Sequence, residues 1–283
     1  MRFVPTRPVL IALFAAACTS NQTPAATARS VPPPLPSDAA GAPARLTSSP
    51  RHGEWVTIRT GPADSVRAWV VYPERSTKAP VVLVVQEIYG LSSWIRSVAD
   101  QLAADGFIAI APDLLTMQNL PATSDSALVA LAPAATRSLN SADVQRQLSA
   151  IAQYGMALPA AQQKYGIVGF CWGGGTSFRH AAHSPTLGAA VVYYGPNPGP
   201  PTIDSVRAPV LGLYGSDDAR VNSTIPPADS ALRARGQTYV YHIYEGAGHG
   251  FLRQQGGQNG ANLLAAQKAW PATIDWFRKY LGS

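Results

Sequence analysis

The sequence predicts an α/β protein, a single large domain on a mostly parallel central sheet with helices on both faces. Three observations point there. Strand-like and helix-like segments alternate from about His52 to the end of the chain. The stretch "APVVLVVQE" is a continuous Val-rich run, the pattern of a strand buried on both faces rather than on one. A chain of 283 residues, 46% hydrophobic and only 13% charged, can bury one sizeable core and lacks the composition of a disordered protein.

In order, "EWVTIRT" and "VRAWVVYP" read as an opening antiparallel pair, with turn residues Gly61 and Pro62 between them. After the Val-rich strand, a helix is expected over 93–105, with Trp94, Val98 and Leu102 on one stripe. Strand "FIAIAP", a helix over 142–154 and strand "YGIVGF" follow, and another helix begins after Cys171. Strands "GAAVVYY" and "APVLGLYG" lead to a helix near 227–235. Strand "TYVYHIY" and an amphipathic helix over 261–281 close the chain, which has no internal repeat.

The first eighteen residues, "MRFVPTRPVLIALFAAAC", read as a signal peptide, with Arg2 and Arg7 ahead of a short apolar stretch. That stretch is shorter than the roughly 20 residues a spanning helix needs. Small residues directly before Cys18 resemble a bacterial lipobox, so Cys18 is a candidate for lipidation; simple cleavage of the leader is the alternative. Both imply an exported protein, periplasmic or tethered to a membrane. Residues 19–50 are rich in Pro, Ala, Ser and Thr and are expected to form an extended linker, leaving 51–283 as the folded domain. A nucleic-acid partner is rejected: without Arg2 and Arg7 the formal charge of +6 becomes +4, scattered with no basic stripe. With Cys18 lipidated or removed, Cys171 is left as a thiol without a disulfide partner.

Gly169-Phe170-Cys171-Trp172-Gly173 fits G-x-nucleophile-x-G, a sharp strand-to-helix turn with cysteine where serine is commoner. Small residues are needed two before and two after the central one, because bulkier ones would collide in so tight a turn. The helix N-terminus behind it can stabilise a thiolate or an oxyanion. A buried, inert cysteine is the competing reading; a nucleotide site is not, since neither G-x-G-x-x-G nor a P-loop is present. An acid and a histidine follow in order. Asp217 and Asp218 stand past the end of "LYGSDDARV", and His249 lies in the glycine-rich "EGAGHGFLR". Nucleophile, acid, histidine is the chain order of the α/β-hydrolase arrangement. Asp218 is the expected acid, with Asp217 a turn or capping residue. His180 and His183 lack companion ligands and are expected to be ordinary helix residues, so no metal is expected.

Together "VVQEIYGL", "GFCWGG", "YYG", "LYGSDDARV" and "GAGHGF" resemble the dienelactone hydrolase (carboxymethylenebutenolidase) family from about His52 to Leu281. The resemblance implies an α/β-hydrolase fold and a Cys-His-Asp triad of Cys171, His249 and Asp218, with no cofactor. It implies that Glu87 faces the cysteine and helps set its protonation state; a structural salt bridge is the alternative there. It further implies that the amides of Ile88 and Trp172 form the oxyanion hole and that Arg253 holds a substrate carboxylate, with Tyr89 also at the substrate site. A second substrate arginine of the family has no clear counterpart in "LLTMQNLPATSDSALVALAPAATRSLN"; Arg137 stands in that stretch, and the substrate's charge stays open. The expected activity is hydrolysis of a small-molecule ester or lactone through a thioester acyl-enzyme, by a monomer. A broad carboxylesterase or thioesterase, or a non-catalytic surface lipoprotein, are the alternatives.

Overall fold

A computed structural model describes residues 1–3 and 34–282, and the account below is of the body formed by 34–282. Cys18, the leader and residues 19–33 lie outside the described residues apart from Met1 to Phe3.

An eight-stranded sheet runs through the body. Its strands are β1 (Gly53–Arg59), β2 (Ser65–Val71), β3 (Ala79–Val85), β4 (Ile108–Asp113), β5 (Ala161–Phe170), β6 (Ala189–Tyr193), β7 (Val210–Asp217) and β8 (Tyr239–Gly248). Across the sheet the order is β1-β2-β4-β3-β5-β6-β7-β8. β1–β2 and β2–β4 pair antiparallel and every other neighbour pairs parallel, so the expected opening hairpin stands at one edge of a parallel sheet.

β3 is buried along its whole length, which is why its sequence does not alternate. Its side chains divide between two cores: Val82 and Val84 on one face, Val81, Leu83 and Val85 on the other. Helices α1 (Ala42–Ser48), α2 (Ser93–Ala104) and α8 (Ala261–Leu281) serve the first face, where Trp94, Val98 and Leu102 of the expected stripe meet Trp270, Ile274 and Phe277. The second face is covered by α4 (Ser141–Ala157), α5 (Trp172–His183) and α7 (Ile225–Ala234), through Leu148, Ile151, Phe178 and Leu232. Two further helices, α3 (Asp125–Ser138) and α6 (Ala219–Asn222), lie in loops at the carboxyl edge.

One expectation needs correction, and one element has no counterpart among the expectations. The linker was expected to run to residue 50, but from residue 34 the chain is docked on the body. Ala42 is fully buried, Arg45 and Arg51 both bind the buried carboxylate of Asp100 at 2.8 and 2.7 Å, and Trp94 Nε1 donates to the Ser37 carbonyl. Composition hid this because the arm is held by a few polar anchors rather than by an apolar stripe. No expectation named an element around Arg137; the stretch contains α3, capped by Ser124, whose hydroxyl accepts from the Ala127 amide. Only Ala132 and Thr136 of α3 are buried and Pro133 interrupts it, so no helical stripe shows in its sequence. Among the described residues no helix is long and apolar enough to cross a membrane.

Candidate active site

The carboxyl ends of β3, β5, β7 and β8 bring the expected residues to one rim. β5 ends at Phe170, α5 begins at Trp172, and Cys171 between them takes φ 54° and ψ −113°. This is the left-handed half of backbone space, costly for any residue but glycine. The flanking glycines are sterically required: a Cβ on Gly169 would stand 2.0 Å from the Gly173 carbonyl oxygen, and one on Gly173 2.3 Å from that of Gln86. The Cys171 amide donates to the Tyr193 carbonyl at 3.0 Å, tying the turn to β6. The thiol is partly exposed, as a nucleophile must be.

Asp218 caps α6, accepting from the Val221 amide, and its other carboxylate oxygen meets His249 Nδ1 at 2.6 Å. Expectation divided two jobs between the two aspartates, but Asp218 does both. Asp217 is exposed and accepts from Gln258 instead of capping. His249 follows β8 on a loop held by the bond from the Gly248 amide to Asn262 Oδ1, and Gly246 and Gly250 take positive φ on either side. With Nδ1 on Asp218, Nε2 is the ring nitrogen left for chemistry. No hydrogen bond joins His249 to the Cys171 thiol among the described residues, although the Asp218 carboxylate lies near enough to raise the thiol pKa.

Glu87 follows β3, buried, with Arg253 Nε 3.2 Å from its carboxylate. The Arg253 guanidinium also lies 4.9 Å over the Tyr89 ring, so the two residues expected at the substrate stand together beside Glu87. Arg253 is fixed from behind, because its carbonyl accepts from the Ala39 amide of the docked arm. Burial pushes the Glu87 carboxyl up to about 7, against the opposing pull of Arg253. Burial, then the charge of Glu87, push the Cys171 thiol up to about 11, while the Trp172 amide pulls it down. The helix N-terminus was expected to favour a thiolate; in the resting site desolvation and the glutamate outweigh it. The Ile88 amide donates to no group among the described residues, while its carbonyl is clamped by Thr136 Oγ1 of α3 at 3.1 Å. The Trp172 amide thus lies beside the thiol, and the Ile88 amide, in the loop after β3, keeps its N–H free among the described residues. Arg137, one residue beyond that clamp, is exposed and makes no ion pair among the described residues.

One residue was overlooked in the sequence. Tyr194 takes φ 39° and is fully buried, yet its hydroxyl has no hydrogen-bond partner among the described residues. Its ring packs against that of His249 with centroids 5.2 Å apart, and the charges of Glu87, Cys171 and Arg253 all bear on its hydroxyl. A buried, unpaired donor on a strained backbone is costly twice over, which marks a site. The signal available was the doubled tyrosine of "YYG" at the end of a buried strand. His180 is a core residue between Gln145 and Tyr165, kept neutral because burial drops its pKa to about 3. Among the described residues no cluster of three or more His, Cys, Asp or Glu could hold a metal ion.

The sheet order, the cysteine at the strand–helix turn and the acid–imidazole pair after β7 and β8 define an α/β-hydrolase. The profile of the dienelactone hydrolase family matches residues 66–281, and the chain belongs to that family. A Salmonella typhimurium protein named "Putative carboxymethylenebutenolidase" is 32% identical over 257 residues, covering 84% of this chain and 88% of the relative. A Bradyrhizobium protein named "Probable 2-oxo-3-(5-oxofuran-2-ylidene)propanoate lactonase" is 29% identical, covering 81% and 94%. Among solved structures, a "Putative Dienelactone Hydrolase" from Klebsiella pneumoniae superposes with a TM-score of 0.70 at 29% identity, covering 81% of this chain and 99% of that one. The protein is therefore a hydrolase of the dienelactone hydrolase type.

Proposed function

We propose that the protein hydrolyses a small ester or lactone through a thioester on Cys171. The observation that carries this reading is the Asp218–His249 pair, closed at 2.6 Å, on the rim that also presents Cys171 in its strained turn. At rest the thiol is protonated. A substrate carboxylate that takes Arg253 removes the one attraction holding the Glu87 pKa down, so Glu87 takes the thiol proton. The thiolate attacks the carbonyl carbon while the amides of Ile88 and Trp172 hold the oxyanion. Collapse breaks the C–O bond, and the departing alkoxide takes the proton lodged on Glu87. His249 then removes a proton from water, hydroxide attacks the thioester, and the proton returns to sulfur as the acid leaves.

A lactone substrate is supported by the printed name of the Bradyrhizobium relative. The exposed position of Arg137, with no ion pair among the described residues, favours a second reading, a broader carboxylesterase, because a substrate carboxylate then lacks the second arginine of the family pattern. The leader supports export, with Cys18 as the lipidation point; fractionation of cells expressing the parent and Cys18→Ala tests that. The catalytic reading is tested by turnover of p-nitrophenyl esters and of a dienelactone by the full chain. Cys171→Ala abolishes it if the reading is right, and activity surviving in that variant refutes the nucleophile.

A further inference from the structure

Among the described residues the partly buried arginines have a charge or ring partner, with one exception. Arg45 and Arg51 share Asp100, and Arg253 binds Glu87. Arg67 and Arg96 flank the Trp55 ring, although the Arg96 Nε is itself buried without a hydrogen-bond partner among the described residues. Arg179, on α5 two turns beyond Cys171, has no ion pair, hydrogen bond or ring contact among the described residues, and its Nε is buried without a partner. Burial alone pulls its pKa down, and no carboxylate opposes that pull. A largely desolvated guanidinium without a counter-charge is disfavoured, so such a group ordinarily marks the place of an anion.

The surroundings agree with that expectation. Arg179 lines a cavity of about 460 Å³ together with His183, Ser141, Thr202 and Ser205. None of the three hydroxyl groups is engaged in a hydrogen bond among the described residues, and no candidate catalytic residue lines the cavity. Ser141 opens α4, a 17-residue helix whose positive end adds to the field of the arginine. Pro201 and Ala182 give part of the wall an apolar character, with room for a short hydrocarbon group.

We propose that this cavity is a second ligand site, separate from the catalytic rim, that binds a small oxyanion, a carboxylate or a phosphate, between Arg179 and the hydroxyls of Ser141, Thr202 and Ser205. A planar guanidinium matches two oxygens of either anion, and the hydroxyls complete the shell.

The test is thermal unfolding of the full chain at fixed ionic strength, with inorganic phosphate or butanoate replacing chloride up to about 50 mM, where even a millimolar Kd is saturating. Phosphate and butanoate as separate arms distinguish the two anions. At least one of them is expected to raise the Tm of the parent and of Arg253→Gln alike. Arg179→Gln should bind at least tenfold more weakly, keep the parent's ester turnover, and be no less stable than the parent in chloride, since it removes an unpaired charge. Thr202→Val with Ser205→Ala, on the opposite wall, leaves the arginine in place and should weaken binding several-fold. The proposal is overturned if neither anion shifts the parent, if Arg179→Gln responds as the parent does, or if the shift disappears in Arg253→Gln instead.

Discussion

The two halves of the candidate site are in different states of readiness. Asp218, buried, and His249, partly exposed, sit on loops after β7 and β8 and are already hydrogen-bonded at 2.6 Å. Cys171 and Glu87 follow β5 and β3, where desolvation holds the carboxyl near 7 against the pull of Arg253, and desolvation with the charge of Glu87 holds the thiol near 11. One half is prepared to activate water. In the other the thiol is held neutral until, in the proposed mechanism, a change of charge beside Arg253 lets Glu87 take its proton. A free thiolate is prone to oxidation, so in the proposed mechanism a nucleophile that ionises only with substrate in place is also a protected one.

That contrast can be attacked from both sides. The largest effect is expected from Cys171→Ala, which should lower kcat by about 10⁴-fold or more, measured by ester turnover. Next, Asp218→Asn should cost about 10³–10⁴-fold by letting the imidazole adopt the wrong tautomer, with circular dichroism showing the fold retained. Replacing Asp100 with Ala strands Arg45 and Arg51 and should destabilise the protein by about 3 kcal/mol in urea unfolding. It should also raise KM for carboxylate-bearing esters more than for neutral ones, because the arm that Asp100 anchors holds the Arg253 carbonyl.

The smallest effect is the most diagnostic. A Glu87 pKa raised from 4.5 to about 7 means that the folded protein keeps a proton the unfolded chain has lost across that window. Stability therefore falls as pH rises from about 4.5 to 7, by up to about 3 kcal/mol. Glu87→Gln should flatten that fall, making the variant the more stable protein at pH 8 but not at pH 4. Removing the glutamate charge should also lower the thiol pKa, read as faster iodoacetamide alkylation at pH 8.

The fold was largely legible because its strongest signals are local. β3 could be read as buried from its unbroken apolar run, and Trp94, Val98 and Leu102 gave the face of α2 directly. The elbow was legible because Gly169 and Gly173 leave no room for a Cβ. What stayed hidden depends on distant partners. The arm at 34–50 docks through Asp100, some fifty residues away in sequence, and α3 is held by few buried side chains and the Thr136–Ile88 bond. Composition carries no trace of either. Tyr194 was hidden for another reason: its significance lies in an unpaired hydroxyl and a positive φ, and neither property is written in residue type.

The division of labour between the halves is tested most directly by His249→Ala with a p-nitrophenyl half-ester of a dicarboxylic acid, whose leaving group needs no proton. Stopped-flow absorbance should show one equivalent of p-nitrophenolate released in a burst, then almost none. Mass spectrometry of the quenched protein should find one acyl group, on Cys171. A variant that shows no burst, or that carries its acyl group on another residue, would contradict an account in which Cys171 and Glu87 make the thioester and Asp218 and His249 break it.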